Sequence, residues 1–582
     1  MSQLFDKIKV SSGNRSTFDL SHHQVTTSDF GFLTPICYRD MLPNDDFIIK
    51  PSVFCRLAPL AVPTYGRITC RVHHFFVPYR ILYPKWDQFI TQDSNNHTVP
   101  PYFTGSYLKQ ALNSDPAVSP SHQSAHESFR GIYSRVMSNL GLNPFAVKNA
   151  ANDERFAAFP FLAYYRIWMD WFADTSIQNH EQLVQEFNTL VENGGDLMSG
   201  SLTAIRFIES KDCCYKKDYF TTAKINPQDG SASQVSVDVA GIDLNPAMVS
   251  SQQADAIKQY NGKVWSGTAS GTVPSSATSV LGQFTIEALR AANSLQRYLE
   301  RNNFVGTKTI NRILAHFGVS PQPERLDMAE FIGGSSFPIQ IGDVTSHTGH
   351  TFFNDDDNLD YSTVGLGAQA GKGVGAGQGD TVRYHAKEHG IFMSLMSILP
   401  DTGYYQGISR FWNKGVYGDA LDYFHPEFEN LGYQEILNKE LFATGTYEGF
   451  QREGIFGYTP RFSEYKFQQD VLAGDMLTVG QDTSLHQPNG APNDSWHLFR
   501  KFSFTQASPC ALNYNFTRLH NRSNDYDRIF QFTNNAYDHF YFNIDCDVKA
   551  TRDMMGFGEP SLSATNDEDG KTMNLPYGGT RL

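Results

Sequence analysis

Near the C-terminus, Phe540, Phe542, Ile544, Cys546 and Val548 alternate with His539, Tyr541, Asn543, Asp545 and Asp547. Wound as a helix, this run would scatter its apolar side chains around the whole circumference; extended, it lines them along one face. The spacing predicts a strand with one face in a core and the other in water. Residues 67–77 repeat the pattern, with Ile68, Cys70, Val72 and Phe76 on one side and Arg67, Thr69 and Arg71 on the other. Asp46 to Leu57 also reads as a strand, with Pro51 at an edge or bulge. Ile391 to Ile398 is apolar on both sides, which predicts a strand covered on both faces.

Strands at both ends of a long chain do not fit a βαβ array. They fit an antiparallel sandwich whose first and last strands meet, interrupted by long excursions. The excursions carry helices. Phe284, Ala288, Ala291, Leu295 and Leu299 follow helical spacing, and Leu314 to Gly318 reads as the end of a second, short helix. Residues 1–45 are polar and read as an extended N-terminal arm, which leaves 46–582 as one β domain with insertions. Residues 223–283 are rich in Ser, Gly, Ala and Thr. Residues 345–386 contain Gly365, Gly367, Gly371, Gly373, Gly375, Gly377 and Gly379. Both stretches read as large surface loops, the second as a flexible glycine linker.

Two aromatic blocks follow the early strands: Phe75 to Phe89, and Pro160 to Phe172. Neither resembles a reaction centre; both are expected to be buried against something. Aromatics make up 13% of the chain and charged residues only 19%, against roughly 25% in an average soluble protein. Many rings and few charges suit a protein that hides its surface against copies of itself. A net charge of −14 argues against a dedicated nucleic-acid binder, though a local basic patch is compatible with it. No apolar run is long enough to cross a membrane, so no membrane insertion is expected. The first residues lack the apolar core of a signal peptide, so synthesis and use in a cytoplasm are expected.

Reaction chemistry finds little support. The seven cysteines form no C-x-x-C pair and are expected to be reduced and mostly buried. Gly371-Lys372-Gly373 fails the phosphate-loop pattern, which needs Ser or Thr after the lysine. In His22-His23 and His73-His74, neighbours on a strand point to opposite faces, so neither pair chelates one metal. Asn354 to Asn358 resembles half a calcium loop without its glycine or distal glutamate. Cys213-Cys214 sits beside Lys216 and Lys217, whose charge would lower a thiol pKa, but no histidine is paired with it. No catalytic residue, metal ligand or cofactor is assigned. One cluster suggests a nucleic-acid contact: Arg522, Arg528, Lys549 and Arg552, interleaved with Tyr526 and Phe530. Cations among stacking rings suit a sequence-tolerant single-strand contact; ion pairs with Asp525, Asp527 and Asp553 are the alternative.

In sum the motifs resemble the major capsid protein of microviruses, the small icosahedral phages with circular single-stranded DNA, and within them the gokushovirus-like branch. The residues that carry the resemblance span nearly the whole chain. They include Phe18-Asp19-Leu20-Ser21-His22, Leu42-Pro43-Asn44-Asp45, and Phe75-Phe76-Val77-Pro78 with Arg80, Leu82, Trp86 and Phe89. Pro160, Ala163, Tyr164, Ile167, Trp168, Trp171 and Phe172 belong to it, as do Lys217 to Thr221, His316 to Val319 and Gly333 to Ser336. Leu437 to Glu440, Phe456-Gly457-Tyr458, Glu464-Tyr465 and Ser495 to Leu498 complete it in order.

The resemblance implies an eight-stranded antiparallel viral jelly roll with long loop and helix insertions. It implies self-assembly of about 60 copies into a closed T=1 icosahedral shell around the genome. The insertion at 223–283 would form a surface protrusion near the threefold axis and meet a host surface receptor. Further implied partners are a small basic DNA-packaging protein, an internal scaffolding protein, a minor pilot protein and the single-stranded DNA itself. The protein would reside in the virion after assembly in the bacterial host cytoplasm. A glycan-binding β-sandwich module and a glycoside hydrolase with two flanking carboxylates are the competing readings.

Overall fold

The computed structural model describes residues 15–90, 98–113, 131–175, 177–197, 206–228, 286–305, 315–316, 327–345, 350–351, 363–364, 369–416, 422–428, 432–443, 451–477, 493–502, 512–519, 526–531 and 538–554. Ten strands form one antiparallel sheet: β1 (Ser16–Asp19), β2 (His22–Ser28), β3 (Thr34–Met41), β4 (Asp46–Leu57), β5 (Ile68–Pro78), β6 (Glu330–Thr345), β7 (Gln369–Gln378), β8 (Val382–His385), β9 (Gly390–Pro400) and β10 (Phe540–Arg552). Eight follow one another in the order β1-β10-β4-β7-β6-β5-β9-β3, with β8 beside β4 and β2 beside β10. This sheet curls through 244° about an axis. The fold is a jelly-roll-like β-sandwich with helical insertions.

The alternating C-terminal run is β10. Phe540, Phe542, Ile544, Cys546, Val548 and Ala550 are buried, while the residues between them are exposed. The strand pairs with β4 from Phe540 to Thr551, and its last four residues pair with β1, so the first and last described strands meet. Every residue of β9 is buried. Its second face is covered by the helix Phe159–Ile167, which packs on both β5 and β9. That cover explains why β9 is apolar on both sides.

Two expectations need correction. The polar arm is, from Ser16 onward, three strands of the sheet: Leu20 N–H donates to the Val548 carbonyl at 2.8 Å, and β2 pairs with β10 from Ser28 to His22. Its polar side chains belong to half-exposed strands, whose outer residues meet water. The glycine-rich stretch is likewise not a linker over its described part. Residues 369–378 form a central strand between β4 and β6. The glycines at 371, 373, 375 and 377 fall on one face, at the strand period of two. There the space a side chain would fill is already taken. A Cβ on Gly371 would lie 2.7 Å from the Val62 carbonyl oxygen, and one on Gly373 would lie 2.6 Å from Leu57. The bare strand lets Leu57, Leu60, Phe337 and Ile339 cover it.

The two aromatic blocks are buried, but against each other within one chain. Tyr79 packs on Trp86 and Phe159 with ring centres 4.5 and 4.6 Å apart, and Phe75 meets Phe172 at 6.0 Å. Two of their polar ends are satisfied internally: Tyr164 donates to the Leu33 carbonyl at 2.9 Å and Trp168 to the Asp212 carbonyl at 3.2 Å. At the end of this helix, buried Asp170 accepts from Arg166 at 2.9 Å and from the Ala329 N–H at 2.8 Å. Burial alone would push the Asp170 carboxyl up; Arg166, His180 and the Ala329 amide hold it below its ordinary value. A smaller second core gathers Phe220, Ile436, Leu441, Phe442, Phe456 and Phe516 beneath the hairpin of Tyr433–Leu437 and Ile455–Pro460. The helix expected from Phe284 runs over Ile286–Val305. Residues 229–283, Asn354 to Asn358 and most of Leu314 to Gly318 lie outside the described residues.

Candidate functional site

Of the four basic residues singled out in the sequence, Arg522 lies outside the described residues. Arg528 sits on the turn Asp527–Ile529 and donates to the backbone carbonyls of Asp494, His497 and Phe499 at 2.9, 3.1 and 2.7 Å. Arg552 pairs with buried Asp45 at 3.1 Å and lies over the Phe47 ring at 5.3 Å. Strand alternation separates Arg552 from Lys549: three residues apart on β10, they point to opposite faces. Lys549 is exposed, opposite Asp19 and Ile48. The acids expected as partners are engaged elsewhere: Asp553 with Arg15 at 3.1 Å and Asp527 with His539 at 3.6 Å.

Lys549 therefore belongs to the outer face of the sheet. Register places Asn543 opposite both Phe54 and Val25, and Arg56 opposite Tyr541. Phe54, Val25, Ile48 and Tyr541 are exposed apolar groups on this face, and the Arg56 guanidinium lies 5.3 Å from the Phe54 ring centre. Asp545 and Asp547 share the face. The combination offers rings and cations for stacking and charge, with acids that keep any anion contact weak.

A second surface lies between residues 409 and 471. Phe411 is 69% exposed and Trp412 73%, and Tyr423, Phe424 and Tyr465 are each about half exposed. Four of them meet in two pairs. Phe411 and Trp412 meet edge to face at 5.6 Å, Phe424 meets Tyr465 at 6.4 Å, and Lys414 Nζ lies 3.4 Å from the Tyr465 ring centre. Their base is locked by ion pairs. Lys414 pairs with Glu464 at 3.1 Å and Arg410 with Glu440 at 3.2 Å; Glu440 also accepts from Tyr219 at 3.0 Å. Burial pushes the Glu440 carboxyl up, with Arg410 opposing it. Glu464 is held below its ordinary value because Gln434 and Lys414 outweigh its burial. Large rings exposed on a rigid base mark a surface built to be covered. Sequence periodicity cannot find it. Adjacent rings do not mark it either: Phe75-Phe76 are both buried, whereas Phe411-Trp412 are both exposed.

A cleft of about 770 Å³ is lined by Asp174, Lys217, Asp218, Tyr404, Phe467 and Asp470 among others. Of the three carboxylates that line it, two are engaged within the fold. Asp174 is buried against Lys217 at 2.8 Å, and Asp218 accepts from the Phe220 and Thr221 amides and from Tyr404. Burial raises both the Cys213 and Cys214 thiols, Cys214 to about 12 despite nearby Lys217. Among the described residues, no helix is long and apolar enough to cross a membrane.

Comparison with known proteins bears on what these surfaces are for. A family model described as "Capsid protein (F protein)" matches residues 6–562. The chain is 26% identical over 518 residues to "Capsid protein VP1" of Bdellovibrio phage phiMH2K, covering 84% of this chain and 86% of that protein. It is 24% identical over 579 residues to "Capsid protein VP1" of Chlamydia phage 1, covering 86% and 89%. It is also 24% identical over 494 residues to the protein of the same name in Spiroplasma virus 4, covering 79% and 82%.

Proposed function

Because the chain belongs to the phage capsid protein (F protein) family, we propose that this viral structural protein closes into a T=1 shell of about 60 copies around a circular single-stranded DNA genome. Its place within that family is in the gokushovirus-like branch. The observation that carries the reading is the exposed aromatic surface on Phe411, Trp412, Tyr423, Phe424 and Tyr465. Five rings of ~150–250 Å² each, roughly half exposed, offer on the order of 500 Å². That is a large part of the ~800 Å² one partner contributes to a standard interface. Each contact is modest, and closure sums several per subunit.

DNA is held weakly in this reading. Of the described residues in the basic cluster, Lys549 is the one left exposed for a phosphate, because Arg528 and Arg552 are spent on the fold. A small basic packaging protein supplies the remaining charge, and scaffolding and pilot proteins complete assembly in the bacterial cytoplasm. The insertion at 223–283 faces a host surface receptor. Co-expression with the viral companions should give megadalton particles by light scattering; a soluble monomer that turns over a substrate would refute the proposal. Lys549→Ala should lower the salt slope of DNA binding by about 0.7, and an unchanged slope removes Lys549 from the contact. Deleting the tip of 223–283 should leave particles that adsorb poorly to the host; normal adsorption would exclude the receptor role.

A further inference from the structure

His22, Cys37 and Cys546 bring an imidazole nitrogen and two sulfurs within 4.8 Å of one another. They come from three strands. His22 on β2 lies directly opposite Cys546 on β10, and Cys37 lies on β3. β10 and β3 stand near opposite ends of the curled sheet, so the group sits on the seam where those ends approach. Direct contact across the seam is already present: the Cys546 thiol donates to the Ile36 carbonyl at 3.7 Å. Cys37 and Cys546 are 3% and 2% exposed, and both are free thiols. Nδ1 of His22 is buried and has no hydrogen-bond partner. A buried ring nitrogen left without a partner costs free energy unless something pairs with it. His23, on the outer face, bonds to Asn543 and takes no part.

We propose that His22, Cys37 and Cys546 form a zinc site that staples the two ends of the sheet. Two thiolates and one imidazole are a donor set that zinc favours. Zinc–ligand bonds of about 2.0–2.3 Å place tetrahedral ligands roughly 3.5 Å apart, so the group needs only to contract by about 1 Å. The fourth position opens on a cleft of about 340 Å³, lined by His22, Cys37, Arg39 and Asn139 among others, and water fills it. Binding releases the two thiol protons to solvent, and the neutral imidazole donates its lone pair. No oxidant is required. The site differs from the His22-His23 pair, which strand geometry forbids as a chelate. It also does not depend on the shell reading, because the seam lies within one chain.

The test uses the full-length protein, stripped with a chelator under reducing, anaerobic conditions and titrated with Zn²⁺ alone. One zinc per chain is expected, with two sulfur scatterers in the X-ray absorption spectrum and a raised melting temperature. Cys546→Ser and Cys37→Ser should each weaken binding by more than about 100-fold, beyond the loss typical of changes to groups that only orient a ligand; Cys214→Ser should not weaken it. Absence of zinc uptake, or a spectrum with only nitrogen and oxygen neighbours, would overturn the proposal. So would a Cys37–Cys546 disulfide in the anaerobically isolated protein. The absorption spectrum of the unmutated chain decides the matter even if the serine variants fail to fold.

Discussion

The aromatic blocks at 75–89 and 159–172 and the aromatic segment at 411–465 use the same side chains to opposite ends. In the first pair, Tyr79, Trp86, Phe159, Phe161 and Tyr164 find partners in their own chain, and the Tyr79 and Tyr164 hydroxyls donate to the Asp40 carboxylate and the Leu33 carbonyl. In the second, Phe411 and Trp412 touch each other and then face outward. Ring content alone therefore does not mark an assembly surface. What marks it is rings left uncovered on a base that is itself fully bonded, here by Arg410, Lys414, Glu440 and Glu464. The first region holds the subunit together; the second is available to hold subunits to one another.

That contrast sets the expected sizes of substitution effects on the isolated chain. The largest belongs to the clamp beneath the buried blocks. Asp170→Asn leaves Arg166 buried without its carboxylate and should cost about 3–5 kcal/mol in chemical denaturation. The sign with pH follows. A carboxyl held below its ordinary value in the folded chain stabilises at pH above its unfolded pKa of about 3.9 and loses that contribution as pH falls through the folded value. The gap between wild type and Asp170→Asn should therefore narrow below about pH 4; a gap that widens on acidification would contradict the assignment. A middle effect belongs to the bare strand. Gly371→Ala meets a backbone oxygen that cannot rotate away, and should cost about 1–3 kcal/mol. Gly342→Ala, whose nearest atom is the Lys372 oxygen at 3.9 Å, should cost much less. Equal costs would mean that β7 does not require its glycines for packing.

The strands with clean alternation, β5 and β10, are legible because each has one wet face. β9 is legible because its run is short and apolar on both faces apart from Ser394 and Ser397. The strands of 16–41 are hidden because polar outer residues dilute their pattern. β7 is hidden for a subtler reason. Its glycines at 371, 373, 375 and 377 follow the strand period, but glycine carries no hydrophobic signal, so composition reads as a loop. The basic cluster fails as a unit because nearness in sequence is not nearness on a face: Lys549 and Arg552 are parted by the pleat, and Arg528 is bound to carbonyls. The thiol–imidazole group at His22, Cys37 and Cys546 has no sequence signature, since its ligands are separated by up to several hundred residues and meet only when the sheet curls.

The smallest effect on the isolated subunit should come from the exposed rings, and there the account is most open to direct test. Phe411→Ala with Trp412→Ala should leave the unfolding free energy of the unassembled chain within about 0.5 kcal/mol of wild type. The same double variant, co-expressed with the viral companions, should yield no particles by light scattering, because interface anchors of this kind carry about 2 kcal/mol or more each. Particles formed at wild-type yield would contradict the assignment of this surface to assembly.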